Sequence, residues 1–160
     1  MTFEQYIEQL AEQHPEVRHV PDFEVHFSCL QEDATTKLAR KVRYPFIVVD
    51  GGDFDFSGQP GNILQRDSYT LMFLDHVRDS GNTAEIQQVF AKTKTIMMDF
   101  IKKMNRDKKR LRYPFLNRFE LNGIEGTRVS SQESNLYGWI IQLISTVSFN
   151  DTDCNNAFED

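Results

Sequence analysis

Between Thr83 and Asn105 the apolar residues Ile86, Val89, Phe90, Ile96, Met97, Phe100, Ile101 and Met104 recur with the helical period, and Thr93 fills the slot the pattern leaves open. A helix of about 22 residues is roughly 33 Å long at 1.5 Å per residue, enough to cross a whole β-sheet. One apolar stripe of that length needs a broad partner, and the runs of alternating residues on either side of it supply the strands. Asn82 is placed as an N-cap with Glu85 three residues on, so the spacing predicts two satisfied amides at the helix start.

A shorter amphipathic segment opens the chain. Phe3, Tyr6, Ile7, Leu10 and Ala11 lie on one helical face, and Thr2 with Gln5 has the spacing of a capping box. His14-Pro15 ends this helix, because a residue before proline leaves the helical region. Residues 16–30 are ambiguous, although Phe23-Glu24-Val25-His26-Phe27 alternates as a short strand does. Leu30, Ala34, Leu38 and Val42 recur every fourth residue, which suggests a short helix stopped by Tyr44-Pro45. Phe46 to Val49 reads as a buried strand. Asp50-Gly51-Gly52-Asp53 has the composition of a turn, and Phe54 and Phe56 alternate with acids, so a hairpin is expected there. Gly58 to Asn62 reads as a loop and Ser68 to Val77 as the next strand, partly covered on both faces.

Beyond the long helix, Phe115, Asn117, Phe119 and Leu121 alternate with Leu116, Arg118 and Glu120, which predicts a strand. Asn122-Gly123 and Glu125-Gly126 read as turns or bulges, and Tyr137 to Phe149 as a last long strand. Arg-Tyr-Pro-Phe occurs twice, at 43–46 and 112–115, each time after basic residues and before a predicted strand, as if one helix-to-strand junction were used twice. Strands joined by short turns pair antiparallel. The expected fold is α+β: a mostly antiparallel sheet, one long helix packed across it and an N-terminal helix beside it. It forms a single domain over residues 1–150 with a polar, acidic tail at 151–160.

No catalytic constellation emerges from this pattern, and no enzyme activity or cofactor is expected. The four histidines lack ligand spacing. Cys29 follows His26 by three residues, and a nucleophilic thiol needs a base within hydrogen-bond reach. Cys29 and Cys154 are too few and too far apart for a disulfide framework, which suits free thiols in a reducing cytoplasm. Gly51-Gly52 and Gly58-x-x-Gly61 are not followed by the Lys-Ser/Thr that grips phosphate. Asp50, Asp53 and Asp55 on a tight loop form the one candidate cation site, so a small cation- or ligand-binding module built on Asp50-Gly51-Gly52-Asp53 is an alternative reading. No apolar run is long enough to span a membrane.

Charge is unevenly placed. The chain nets −6, yet Lys102, Lys103, Arg106, Lys108, Lys109, Arg110 and Arg112 face only one acid, Asp107, within residues 102–112. The first 33 residues hold eight acids and one arginine. Such asymmetry orients like subunits head to tail, or sets a basic patch against phosphates, or is simply a solvated helix end. Lys103, Arg106, Lys108, Lys109, Arg110 and Arg112 are therefore taken as a polar contact surface. Phe54 and Phe56 are candidate subunit contacts.

The order of elements, carried by Arg43-Tyr-Pro-Phe-Ile-Val-Val49, Ser68-Tyr-Thr-Leu-Met-Phe-Leu-Asp-His-Val77, the helix 83–105 and Asn135-Leu-Tyr-Gly-Trp-Ile-Ile-Gln-Leu143, resembles small phage tail-completion proteins of the tail-terminator type. The resemblance implies a non-enzymatic structural protein of phage or prophage. It implies a ring, hexameric, at the end of a tail tube. The partners it implies are copies of the chain itself and other tail or head-completion proteins. Contact with DNA would be non-specific and through phosphates.

Overall fold

The computed structural model describes residues 1–21, 23–29, 42–59, 62–131 and 134–149. The chain is α+β. Helix α1 (Phe3–Gln13) is followed by strands β1 (Val25–Cys29), β2 (Val42–Gln59) and β3 (Asn62–His76). Helix α2 (Thr83–Lys109) comes next, then a 3-10 helix (Pro114–Arg118), and strands β4 (Gly126–Ser131) and β5 (Leu136–Phe149). The five strands form one sheet in the order β1-β2-β3-β5-β4. β1 runs parallel to β2, and every other neighbouring pair is antiparallel.

Both helices pack on the same face of this sheet. The register aligns Phe27, Ile47, Phe73 and Trp139 in one row across four strands, and Val49, Leu71 and Ile141 in the next. Phe3, Tyr6, Ile7 and Leu10 of α1 join that face in one core with Ile96, Met97, Phe100 and Met104 of α2. Each such side chain stabilises the fold by about 1.5–3 kcal/mol when fully buried. Thr93 is buried where the apolar pattern skips a slot, and its hydroxyl donates to the Val89 carbonyl at 2.7 Å. Thr2 and Gln5 form both halves of the expected capping box. At α2, Asn82 accepts from the Glu85 amide, but the Glu85 carboxylate accepts from Arg78 N–H instead of closing a box.

Three expectations need correction. Asp50-Gly51-Gly52-Asp53 is not a turn: β2 runs straight through it, with a bulge between Gly51 and Asp53. The glycines serve packing and backbone instead. Gly52 sits at φ 131° in the bulge, and the Tyr69 ring lies so close over Gly51 that a Cβ there would be 2.6 Å from Tyr69 Cδ1. The hairpin between β2 and β3 therefore closes further on, where Gln59 pairs with Asn62.

The stretch from Phe115 is a 3-10 helix and not a strand. Pro114 opens it, and Leu116 and Phe119 are buried three residues apart, a spacing that stacks side chains at three residues per turn. The strand on this side of β5 is β4, whose alternation is weak because its side chains are mostly exposed. Finally, the two Arg-Tyr-Pro-Phe segments are not one junction. The first lies inside β2 with a cis Tyr44-Pro45 bond, and the second leads into the 3-10 helix.

Of the helix suggested by Leu30, Ala34, Leu38 and Val42, the first three residues lie outside the described residues, as does the tail at 151–160, while Val42 opens β2, which runs on through Tyr44-Pro45. Among the described residues no helix is long and apolar enough to cross a membrane.

If Gly51 is fixed by the ring above it, Gly51→Ala should lower stability by about 1–3 kcal/mol, the cost of overpacking a filled site. Chemical denaturation of the two proteins checks this. A glycine needed only for a turn would tolerate the change with little loss.

Candidate functional site

The helix predicted to end at Asn105 continues to Lys109, so five of the seven cations of the basic run are helical. It stops with a full C-terminal cap. Arg112 N–H donates to the Asp107 carbonyl at 3.1 Å and Leu111 N–H to the Lys108 carbonyl at 3.0 Å, the paired bonds of a Schellman motif. That motif places one residue in the left-handed region, normally glycine. Here it is Leu111, at φ 51°. A leucine in that conformation costs about 1–2 kcal/mol. Its side chain gains no core contact in return, being 70% exposed.

The single acid of the run turns inward. Asp107 is only 1% exposed, and its Oδ2 accepts from the Tyr6 hydroxyl at 3.0 Å and from the Lys103 ammonium. Burial pushes the Asp107 carboxyl up, but the hydrogen bonds from Lys103 and Tyr6, with the charges of Lys103 and Arg112, outweigh it and hold the group below the usual carboxylate range. Burial, aided by the same hydrogen bond and the Asp107 charge, pushes the Tyr6 phenol far above its ordinary value. Tyr6 belongs to α1 and Asp107 to α2, so this contact ties the two helices together.

The six cations proposed as a surface thus divide. Lys103 is spent on Asp107, and Lys108 donates to the Phe119 carbonyl at 2.6 Å. Arg106, Lys109 and Arg110 are exposed, and among the described residues none of them is paired with a carboxylate. The Arg112 guanidinium lies 5.4 Å from the centre of the Tyr113 ring.

Phe54 and Phe56 are on β2 past the bulge, 62% and 53% exposed, with ring centres 5.7 Å apart. They share the helix-bearing face of the sheet, because Phe54 pairs with Asp67, two residues from Tyr69, but they lie beyond the helices. The register brings them to the same end of the molecule as the basic run. Phe54 pairs with Asp67, Asp67 with Ser145, and Ser145 with Phe119, whose carbonyl takes Lys108. Three strand spacings separate them, about 15 Å.

The alternative cation site does not survive the fold. Asp50, Asp53 and Asp55 are strung along an extended strand and not gathered on a loop, and among the described residues no three acids, histidines or cysteines are grouped to hold a metal. His26 is not poised as a base for Cys29. Its Nδ1 donates to the Pro45 carbonyl at 2.8 Å, while Cys29 packs on the main core. His14 and His19 each accept a backbone N–H at Nδ1, which leaves Nε2 facing Asp99 and Glu8.

Compared with known proteins, the chain matches no family model and no curated protein.

Two features escape a charge-and-period reading. One is Leu111, whose only signal is being the lone apolar residue among the cations of 106–112. The other is the acidic line Glu4, Glu8 and Glu12, spaced four apart and so aligned along one flank of α1.

Leu111→Gly should raise stability by about 1 kcal/mol, measured by denaturation, because glycine adopts the left-handed cap without strain. For Asp107 the sign follows from its lowered carboxyl. The contact contributes fully above the unfolded carboxylate range, near pH 4, and its contribution is lost as pH falls through the folded value. Asp107→Asn should cost about 2 kcal/mol at neutral pH and flatten the acid limb of melting temperature against pH. An acid limb unchanged by the substitution would refute this role.

Proposed function

We propose that this chain is a non-enzymatic structural subunit of the phage or prophage tail-completion kind. It acts by joining copies of itself into a ring and by meeting other tail or head-completion proteins. Assembly would begin in the cytoplasm. The observation that carries this reading is the cap of α2, where an exposed leucine is held in a strained conformation beside Arg106, Lys109 and Arg110, none of which has a carboxylate partner among the described residues. Strain and exposed apolar surface without internal benefit mark a place where a partner supplies the benefit.

Charge placement gives the partner's orientation. Along α1 the flank carrying Gln9 faces the basic end, since Gln9 accepts from the Tyr113 hydroxyl. Glu4, Glu8 and Glu12 occupy the other flank. The acidic line is turned away from the cations of 102–112; Glu8 faces His19 of its own molecule at 3.5 Å, and the line would be offered to a neighbour's cations. A contact between two different patches of the same chain is heterologous, and it generates a ring when the rotation closes. Phe54 and Phe56, at the same end as the cations, would add apolar area to the contact. Non-specific contact of leftover cations with DNA phosphates belongs to the same reading.

Sedimentation velocity at low salt should show an assembly that grows with protein concentration and weakens with added salt. Replacing Arg106, Lys109 and Arg110 together by Gln should shift assembly to roughly tenfold higher concentration, if each lost pair is worth about 0.5 kcal/mol. The melting temperature should hold, because none of the three has an inward bond from its side chain. A monomer under all conditions, or a triple variant that assembles unchanged, would sink the proposal. Tail, portal or capsid genes beside the coding sequence are the expected genomic setting.

A further inference from the structure

At the β4 side of the sheet, α2 and the strands leave an open notch of about 200 Å³ lined by Met97, Met98, Ile101, Ile141 and Trp139. Gly126 at the start of β4 adds no side chain to it, so the Met97 thioether and the Trp139 ring face each other across the glycine. A cavity of roughly 150 Å³ accepts a benzene molecule, so this space suffices for one aromatic side chain.

The rim carries two cations. The Lys94 ammonium lies 5.2 Å from the centre of the Trp139 ring, and the Arg128 guanidinium 5.5 Å from it and 4.8 Å from the Phe90 ring. Two like charges thus converge on one half-buried indole. Among the described residues neither is paired with a carboxylate. The Trp139 N–H is already used, donating to the Phe90 carbonyl at 2.9 Å. An apolar floor beneath two unneutralised cations fits an aromatic side chain followed by carboxylates.

The chain carries such a segment. Residues 150–160 hold Asp151, Asp153, Glu159 and Asp160 and no cation, and the last four residues are Ala157-Phe158-Glu159-Asp160. We infer that the notch between α2 and β4 receives residues 150–160 of a neighbouring copy, with Phe158 against Trp139 and the acids Glu159 and Asp160 at Lys94 and Arg128.

The path open to the tail favours the neighbour. Trp139 and Phe149 stand ten residues apart on β5, about 33 Å. The links from Phe149 to Phe158 span at most about 32 Å fully stretched. A copy's own tail would bring Phe158 to the Trp139 wall of its own notch only by running back nearly extended alongside β5. That edge is already taken by Phe119, which pairs with Ser145, and by Glu120, whose N–H donates to the Ile144 carbonyl at 3.0 Å.

This inference rests on the self-association proposed above, and the test separates the two. Trp139 is the only tryptophan, so its fluorescence reads the notch directly. In the full-length protein its emission should move to shorter wavelength as protein concentration rises, and Phe158→Ala should abolish that movement. A synthetic peptide of residues 150–160, added to the full-length Phe158→Ala protein, should restore the shift saturably and less so at high salt. Lys94→Gln with Arg128→Gln, both at exposed positions, should weaken peptide binding by about two- to tenfold. A shift in the wild-type protein that ignores concentration, or a peptide silent at millimolar levels, overturns the inference. If the chain associates while the peptide stays silent, the notch is wrong and the basic end of α2 stands. If the peptide binds while neutralising Arg106, Lys109 and Arg110 leaves association untouched, the basic end is wrong and the notch stands.

Discussion

The two helices lie side by side on one face of the sheet, and the carboxylate of Asp107 fastens them to each other. It is the lone acid in an eleven-residue run of seven cations. Buried between Tyr6 of α1 and Lys103 of α2, it fixes the rotation of the last turns of α2. With Asp107 and Met104 directed inward, Arg106 and Lys109 must point out, since residues one and two apart on a helix face different ways, and Arg110 is exposed as the C-cap. The position of the basic surface therefore follows from one buried ion pair and its phenol partner. A buried carboxylate is costly unless every hydrogen bond it needs is made, and here no buried side-chain polar atom among the described residues lacks a partner.

The sheet is longer than the helices that cover it. β2, β3 and β5 run on past the N-terminus of α1, where Phe3 stacks on Phe119 and Tyr69 at the edge of the packed region. Beyond that edge the helix-facing side carries Phe54 and Phe56 in the open. At its β4 edge the sheet is under-covered in a different way, because Gly126 brings no side chain to fill the space under α2. At both places the described residues leave apolar side chains of the helix-bearing face partly exposed.

Much of the fold was legible because periodicity is a property of sequence. The stripe from Val89 to Met104 and the face from Phe3 to Ala11 are long enough to repeat their period several times, and both helices form there. The strands around Phe73 and Ile141 show the same clarity. What misled was local composition. Asp-Gly-Gly-Asp is turn-like, yet Tyr69 on the neighbouring strand demands a glycine at 51 and the bulge demands one at 52. Phe115 to Leu121 alternates over too few residues to separate a strand from a 3-10 helix with Leu116 and Phe119 buried on one side. The β4 strand gave little signal because an edge strand with an exposed surface needs few apolar residues.

The candidate surface divides in the same way. That residues 102–112 are strongly cationic, and that Phe54 and Phe56 alternate with Asp53 and Asp55, is written in the order of the amino acids, since charge and polarity belong to each residue alone. Which cations are free is not. Lys103 is withdrawn by Asp107 one helical turn on, a pairing that helical spacing sets, whereas Lys108 is withdrawn by the Phe119 carbonyl, brought beside it by chain reversal. The meeting of Lys94 and Arg128 over Trp139 and the joining of Phe54 to the basic end through β3 and β5 likewise arise only when distant segments pack. Sequence determined what each helix and strand must bury. Tertiary structure decided which polar and aromatic groups were left over at the surface, because that depends on neighbours far away along the chain.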